Sequence, residues 1–159
     1  MKKITYSIIL ALFLISCRDY VESKDPLSEL SAFFNGEFKA IRVNENTELV
    51  YQENASNNII PGYEQYRLEF SGSLNSNPVI KLKEYTGESF IGKWEILRFS
   101  GSRYKLIFID LNPQPTNTEG QMEFEIESAT KDGLELENLR SNPKTGNTLN
   151  KYILKKIGS

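Results

Sequence analysis

The stretch Gln121–Ser128, QMEFEIES, alternates without a break: Met122, Phe124 and Ile126 interleave with Glu123, Glu125 and Glu127. Successive side chains of a β-strand point to opposite faces, so this segment has one dry face and one charged face. At a helical period the same residues would scatter around the axis. Asp132–Gly133 then supplies a turn, and Leu134 and Leu136 alternate with Glu135 and Glu137 on the return. The pair predicts an antiparallel hairpin with its glutamates outside.

The same period recurs outward from this hairpin. YRLEF sets Tyr66, Leu68 and Phe70 against Arg67 and Glu69, VIKLK sets Ile80 and Leu82 against Lys81 and Lys83, and KYILKKI closes the chain. KWEILRF and YKLIFIDL, joined by SGSR, differ. Trp94 and Ile96 oppose Leu97 and Phe99, and Leu106 and Phe108 oppose Ile107 and Ile109, which predicts cover on both faces. With GEFKAIRV and TELVYQ in front, about eight to ten strands follow one another through turns rich in Gly, Asn, Ser and Pro. The long connections are Glu53–Gly62 and Asn112–Gly120. Such a chain removes its edges most simply by closing into an up-and-down antiparallel β-barrel, with two packed sheets as the second solution. A membrane-spanning barrel would turn its apolar face to lipid and its polar face inward. Here the polar face carries Glu123, Glu125, Glu127, Glu135 and Glu137, so the dry side is expected to be the interior.

Before the strands, Leu27–Phe34 (LSELSAFF) is short enough for one helical turn, placed as a plug at a barrel end or as cover for the two-faced strands. Further upstream, Lys2 and Lys3 precede an apolar run from Ile4 to Ile15 that ends at Ser16, the three parts of an export signal. The run is too short for a membrane span, which takes roughly 18 or more apolar residues. Leu14-Ile15-Ser16-Cys17 resembles the lipobox of bacterial lipoproteins, which implies that Cys17 is acylated and becomes the first residue of the mature chain. Several acyl chains hold a domain on a bilayer where one does not. The expected organisation is a cleaved signal over 1–16, an acylated cysteine with its tether over 17–29, and the barrel over 30–159. The expected address is the cell envelope, at the outer membrane, with either leaflet open.

Composition limits the chemistry. The 159 residues include no histidine and one cysteine, with 19 basic and 21 acidic side chains. Removing 1–16, which carries Lys2 and Lys3 and no acid, makes the net charge of −2 two units more negative. A mildly acidic chain without a basic run lacks the footprint of a nucleic-acid binder. Without histidine the commonest general base and zinc ligand are both missing, and no nucleophile elbow or calcium-loop spacing stands in. Asp110 ends an apolar run before Asn112–Pro113, where a turn uses it. Neither catalysis nor a cofactor or metal is expected, and the chain is expected to be a monomer.

NGEFKAIRV, GKW followed by EILRF, the FEIESATKDGLELE hairpin and the terminal YILKK are together similar to the lipocalin-like lipoproteins common in Bacteroidetes. Phe38 stands where many of those carry tryptophan. The resemblance implies a small barrel whose interior takes a small apolar molecule. Tyr66, Leu68, Phe70, Trp94, Ile96, Phe108 and Phe124 are then the candidate lining, and the bland alternative is that they are core. Two functions follow. One is a lipid-anchored barrel that binds a small hydrophobic ligand. The other is an interaction module, an inhibitor or envelope-assembly component, that uses its long loops around a filled interior.

Overall fold

The computed structural model describes residues 25–158 apart from 117, 119 and 142–144. The signal, Cys17 and most of the tether lie outside the described residues. A short helix α1 (Pro26–Ser31) comes first, followed by nine strands: β1 (Gly36–Glu45), β2 (Glu48–Gln52), β3 (Arg67–Ser73), β4 (Ser76–Lys83), β5 (Ser89–Ser100), β6 (Arg103–Asn112), β7 (Met122–Ala129), β8 (Gly133–Asn138) and β9 (Asn150–Ile157). Each strand from β3 to β9 pairs antiparallel with its sequence neighbour.

The first strand closes the ring. One edge of β1 runs along β9 from Glu37 opposite Ile157 to Glu45 opposite Asn150. Its other edge is shared, with Gly36–Lys39 on β3 and Arg42–Glu45 on β2. The result is a closed eight-stranded up-and-down barrel with β2 as an extra strand beside β1, and closure excludes two separate sheets.

The hairpin that opened the sequence reading is β7–β8, with Ile126 opposite Leu136 and Glu125 opposite Glu137. Phe124, Leu134 and Leu136 point inward and are buried. The outward glutamates meet cross-strand cations: Glu123 takes Lys105 at 3.0 Å and Arg140 at 2.9 Å, Glu125 receives both Arg103 nitrogens, and Glu135 lies 3.6 Å from Lys151. Exposed pairs of this kind add little to stability, because water screens them. They suit a wet surface.

The β5–β6 pair corrects one expectation. Trp94, Ile96, Leu106 and Phe108 fill the interior as read, but Leu97 and Phe99 are 45% and 39% exposed on the outer face. The segment that could have covered them goes elsewhere. Asp25 caps α1 by accepting from Leu27 N at 3.1 Å, with Pro26 in the first turn. The chain then turns Phe34 into the barrel end, where its ring lies 5.9 Å from Trp94 and 5.3 Å from Phe70. The helix is a plug, and it begins inside the span assigned to the tether. Gly92, before Trp94, sits where β5 leaves register with β6, and a Cβ there would come within 2.5 Å of the Ile109 carbonyl oxygen.

Candidate functional site

The seven side chains expected to line a pocket all come from alternate positions of β5, β6, β7 and β3 with its preceding residue, so they converge in the interior, each at most 2% exposed. They meet one another. Trp94 stands edge-on to Phe70 at 5.7 Å, Phe70 contacts Phe108 at 6.0 Å, and Phe108 contacts Phe124 at 5.1 Å. Phe124 reaches Tyr152 at 6.1 Å, and Tyr152 stacks on Tyr66 at 4.9 Å. Ring spacings of 4.5–7 Å are those of packed aromatic pairs, so the column from Phe34 to Tyr66 is continuous contact. Trp94 also donates Nε1 to the Ser71 carbonyl at 3.3 Å, which fixes the indole.

At the end away from α1 the interior turns polar. Tyr63, held by the 3-10 helix Pro61–Gln65, donates to Glu45 Oε1 at 3.1 Å. Asn150 Nδ2 donates to the hydroxyls of Tyr63 at 3.1 Å and Tyr152 at 3.2 Å, and its Oδ1 accepts from Thr148 Oγ1 at 2.6 Å. The buried Tyr66 hydroxyl has no hydrogen-bond partner among the described protein atoms. Burial pushes the Tyr63, Tyr66 and Tyr152 hydroxyls well above the usual phenol range, and neighbouring tyrosines and carboxylates add to it. Burial also raises the Glu45 carboxyl, partly offset by the Tyr63 hydrogen bond. Sequence reading missed Tyr63, Asn150 and Tyr152 as a cluster, because two of them lie in or beside loops and meet only across the barrel.

A groove of about 410 Å³ opens on the outside of this end, lined by Tyr51, Glu53, Asn54, Asn58, Pro61 and Glu64 among others. The long Glu53–Gly62 connection builds it. Asn58 staples that loop to β2, accepting from Gln52 N at 2.7 Å and donating to the carbonyls of Gln52 and Ala55, each at 3.1 Å. Ile60 N donates to Val50 O at 3.0 Å. Glu53 pairs with Lys39, while Arg67 donates to the backbone oxygen of Glu64 at 2.7 Å, not to its carboxylate. Burial raises the Tyr51 hydroxyl, with Glu53 and Glu64 adding to the shift. The wall is therefore acidic and rich in hydrogen-bonding groups, with one aromatic ring. Among the described residues no group of His, Cys, Asp and Glu could hold a metal ion.

Closure and an aromatic interior define the class as a small up-and-down antiparallel β-barrel, eight strands being the size at which an interior either fills with side chains or encloses one small molecule. No protein-family model and no curated protein matches the sequence. Two solved structures are similar to it. A lipocalin-like protein from Bacteroides uniformis aligns at 15% identity over 79% of this chain and 99% of its own, with a TM-score of 0.43. An uncharacterized protein from Bacteroides eggerthii aligns at 12% identity over 78% and 99%, with a TM-score of 0.40. Both scores lie under one half, and the barrel assignment stands on the strand pairings alone.

Proposed function

We propose that this protein is a lipid-anchored, non-catalytic interaction module of the cell envelope, held by acyl chains on Cys17, with a barrel that serves as a rigid frame and a loop-end groove that binds a partner protein. One observation carries the choice between the two functions drawn from the sequence: the side chains that would line an internal pocket are in contact with one another, while the groove beside Tyr51 is open. Its chemistry suits a basic side chain. An ammonium or guanidinium would meet the Glu64 carboxylate and the side-chain oxygen of Asn54. The absence of histidine from the sequence supports a binding role.

Titration of the isotope-labelled chain from Arg18 with an arginine-containing peptide, followed by amide NMR shifts, tests the groove. Shifts confined to residues 51–64, and weakened several-fold by Glu64→Gln, are expected; shifts spread over β5, β6 and β7 would contradict the reading. The anchor is tested by growth with labelled palmitate, which should mark the wild type and leave Cys17→Ala unmarked.

The second reading, a small apolar ligand inside the barrel, has a specific observation in its favour. The Tyr66 hydroxyl is a buried donor without an acceptor among the described residues, and a ligand carbonyl inserted beside it would satisfy it.

A further inference from the structure

We propose that the tip of the β5–β6 hairpin is a second membrane contact, which dips into the interface of an anionic bilayer and orients the barrel with its loop end away from the lipid. The proposal rests on the reading of Cys17 as the lipid anchor and adds a surface that this reading does not include.

The hairpin parts from the ladders of its neighbours. Pairing of β4 with β5 stops at Val79 opposite Lys93, and pairing of β6 with β7 stops at Lys105 opposite Glu125, yet β5 and β6 continue together to Ser100 opposite Arg103. The residues beyond form a two-stranded arm. On its outer face Leu97 and Phe99 are exposed and the Arg103 guanidinium, held by Glu125, lies 5.0 Å from the Phe99 ring centre, while Arg98 is exposed on the opposite side of the strand with its Nε donating to Gly101 O at 2.5 Å. Large apolar groups beside an exposed arginine at a hairpin tip fit the boundary between headgroups and acyl chains, where the ring and methyls enter and the Arg98 guanidinium stays with phosphate.

Topology places this arm where the anchor is. Strand β1 starts beside the end of β3 and the end of β9, so α1, the β3–β4, β5–β6 and β7–β8 turns and the end of β9 share one end of the barrel. The chain reaches Cys17 from Asp25 in eight steps, at most roughly 29 Å when fully extended. That end must therefore stay close to the bilayer. Charge favours the same orientation: at this end Arg98, Arg103, Lys131, Lys155 and Lys156 balance Asp25, Glu29, Glu37, Glu127 and Asp132, whereas the opposite end carries Glu45, Glu48, Glu53, Glu64, Glu84 and Glu88 against Lys83, Arg140 and Lys151. An anionic surface repels the second end and not the first.

Two measurements test the contact. The core cluster and its packing partners span Leu27 to Leu154, so the chain from Arg18 carries every element of the barrel and folds without its lipid. It should co-sediment with phosphatidylcholine–phosphatidylglycerol vesicles, and less with pure phosphatidylcholine. Arg98→Glu should weaken this by roughly fivefold or more, and Leu97→Ser with Phe99→Ser by about tenfold, with unchanged circular dichroism. Equal sedimentation of wild type and variants overturns the proposal. In the acylated full chain, whose native cysteine is blocked, a fluorophore on Ser100→Cys should be quenched by nitroxide-headgroup lipid more strongly than one on Ser56→Cys; equal or reversed quenching also overturns it. Failure of palmitate labelling would sink the anchor reading alone, since the sedimentation of the unacylated chain does not depend on it.

Discussion

Tyr66 concentrates what the sequence reveals and what it conceals. Its inward direction follows from the alternation of YRLEF, and it is buried in the barrel. Its surroundings do not follow, because Tyr63, Tyr152 and Asn150 reach it or its neighbours from a loop and from the far end of the chain. A buried hydroxyl without a partner costs about 1–3 kcal/mol. Tyr66→Phe keeps the ring stack on Tyr152 and removes that cost. Urea unfolding should therefore give a variant more stable by about 1 kcal/mol, and a less stable variant would mean that the hydroxyl is bonded in solution. Cys17 is the opposite case, legible only from sequence, since it lies outside the described residues.

At the scale of elements, strands were easier to read than what covers them. Period-two alternation places both members of the β3–β4 and β7–β8 hairpins, because one face is dry and a slip by one residue would expose it. On the outer face of β5–β6 the expected cover is present at Ile107, which is buried, and absent at Leu97 and Phe99, because apolar residues on both faces of a strand do not say what packs on each. Leu97 and Phe99 are exposed because they point away from the interior and the Leu27–Phe34 segment packs at the barrel end instead. The segment Leu27–Phe34 could be read as a plug or as outer cover, and packing decides for the plug, with Phe34 against Trp94 and Phe70. Replacing Phe34 by Ala should cost about 3–5 kcal/mol and shift Trp94 emission to the red as water reaches the indole. A variant that loses less than about 1 kcal/mol with unchanged emission would show that the end is closed by something else.

For the whole molecule, closure makes the tyrosine cluster a determinant of pH stability. Tyr63, Tyr66 and Tyr152 hold their protons in the folded state well past the point where an unfolded chain loses them. Their contribution is therefore complete below about pH 10 and declines above it, by about 1.4 kcal/mol per pH unit for each group. The barrel should unfold cooperatively one to three units above about pH 10, with Tyr152→Phe moving the midpoint upward; circular dichroism against pH reads both. The central claim is that the barrel is a filled frame whose binding surface is outside. Trp94 reports on it directly, because it is the sole tryptophan of the chain and is fully buried in the aromatic column. The chain from Arg18 can be titrated with fatty acids, sterol-like and aromatic compounds while Trp94 fluorescence is followed, with Trp94→Phe as the silent control. The account predicts no saturable change in intensity or wavelength. Saturable quenching or a blue shift that is lost in Trp94→Phe would contradict it and return the function to the barrel interior.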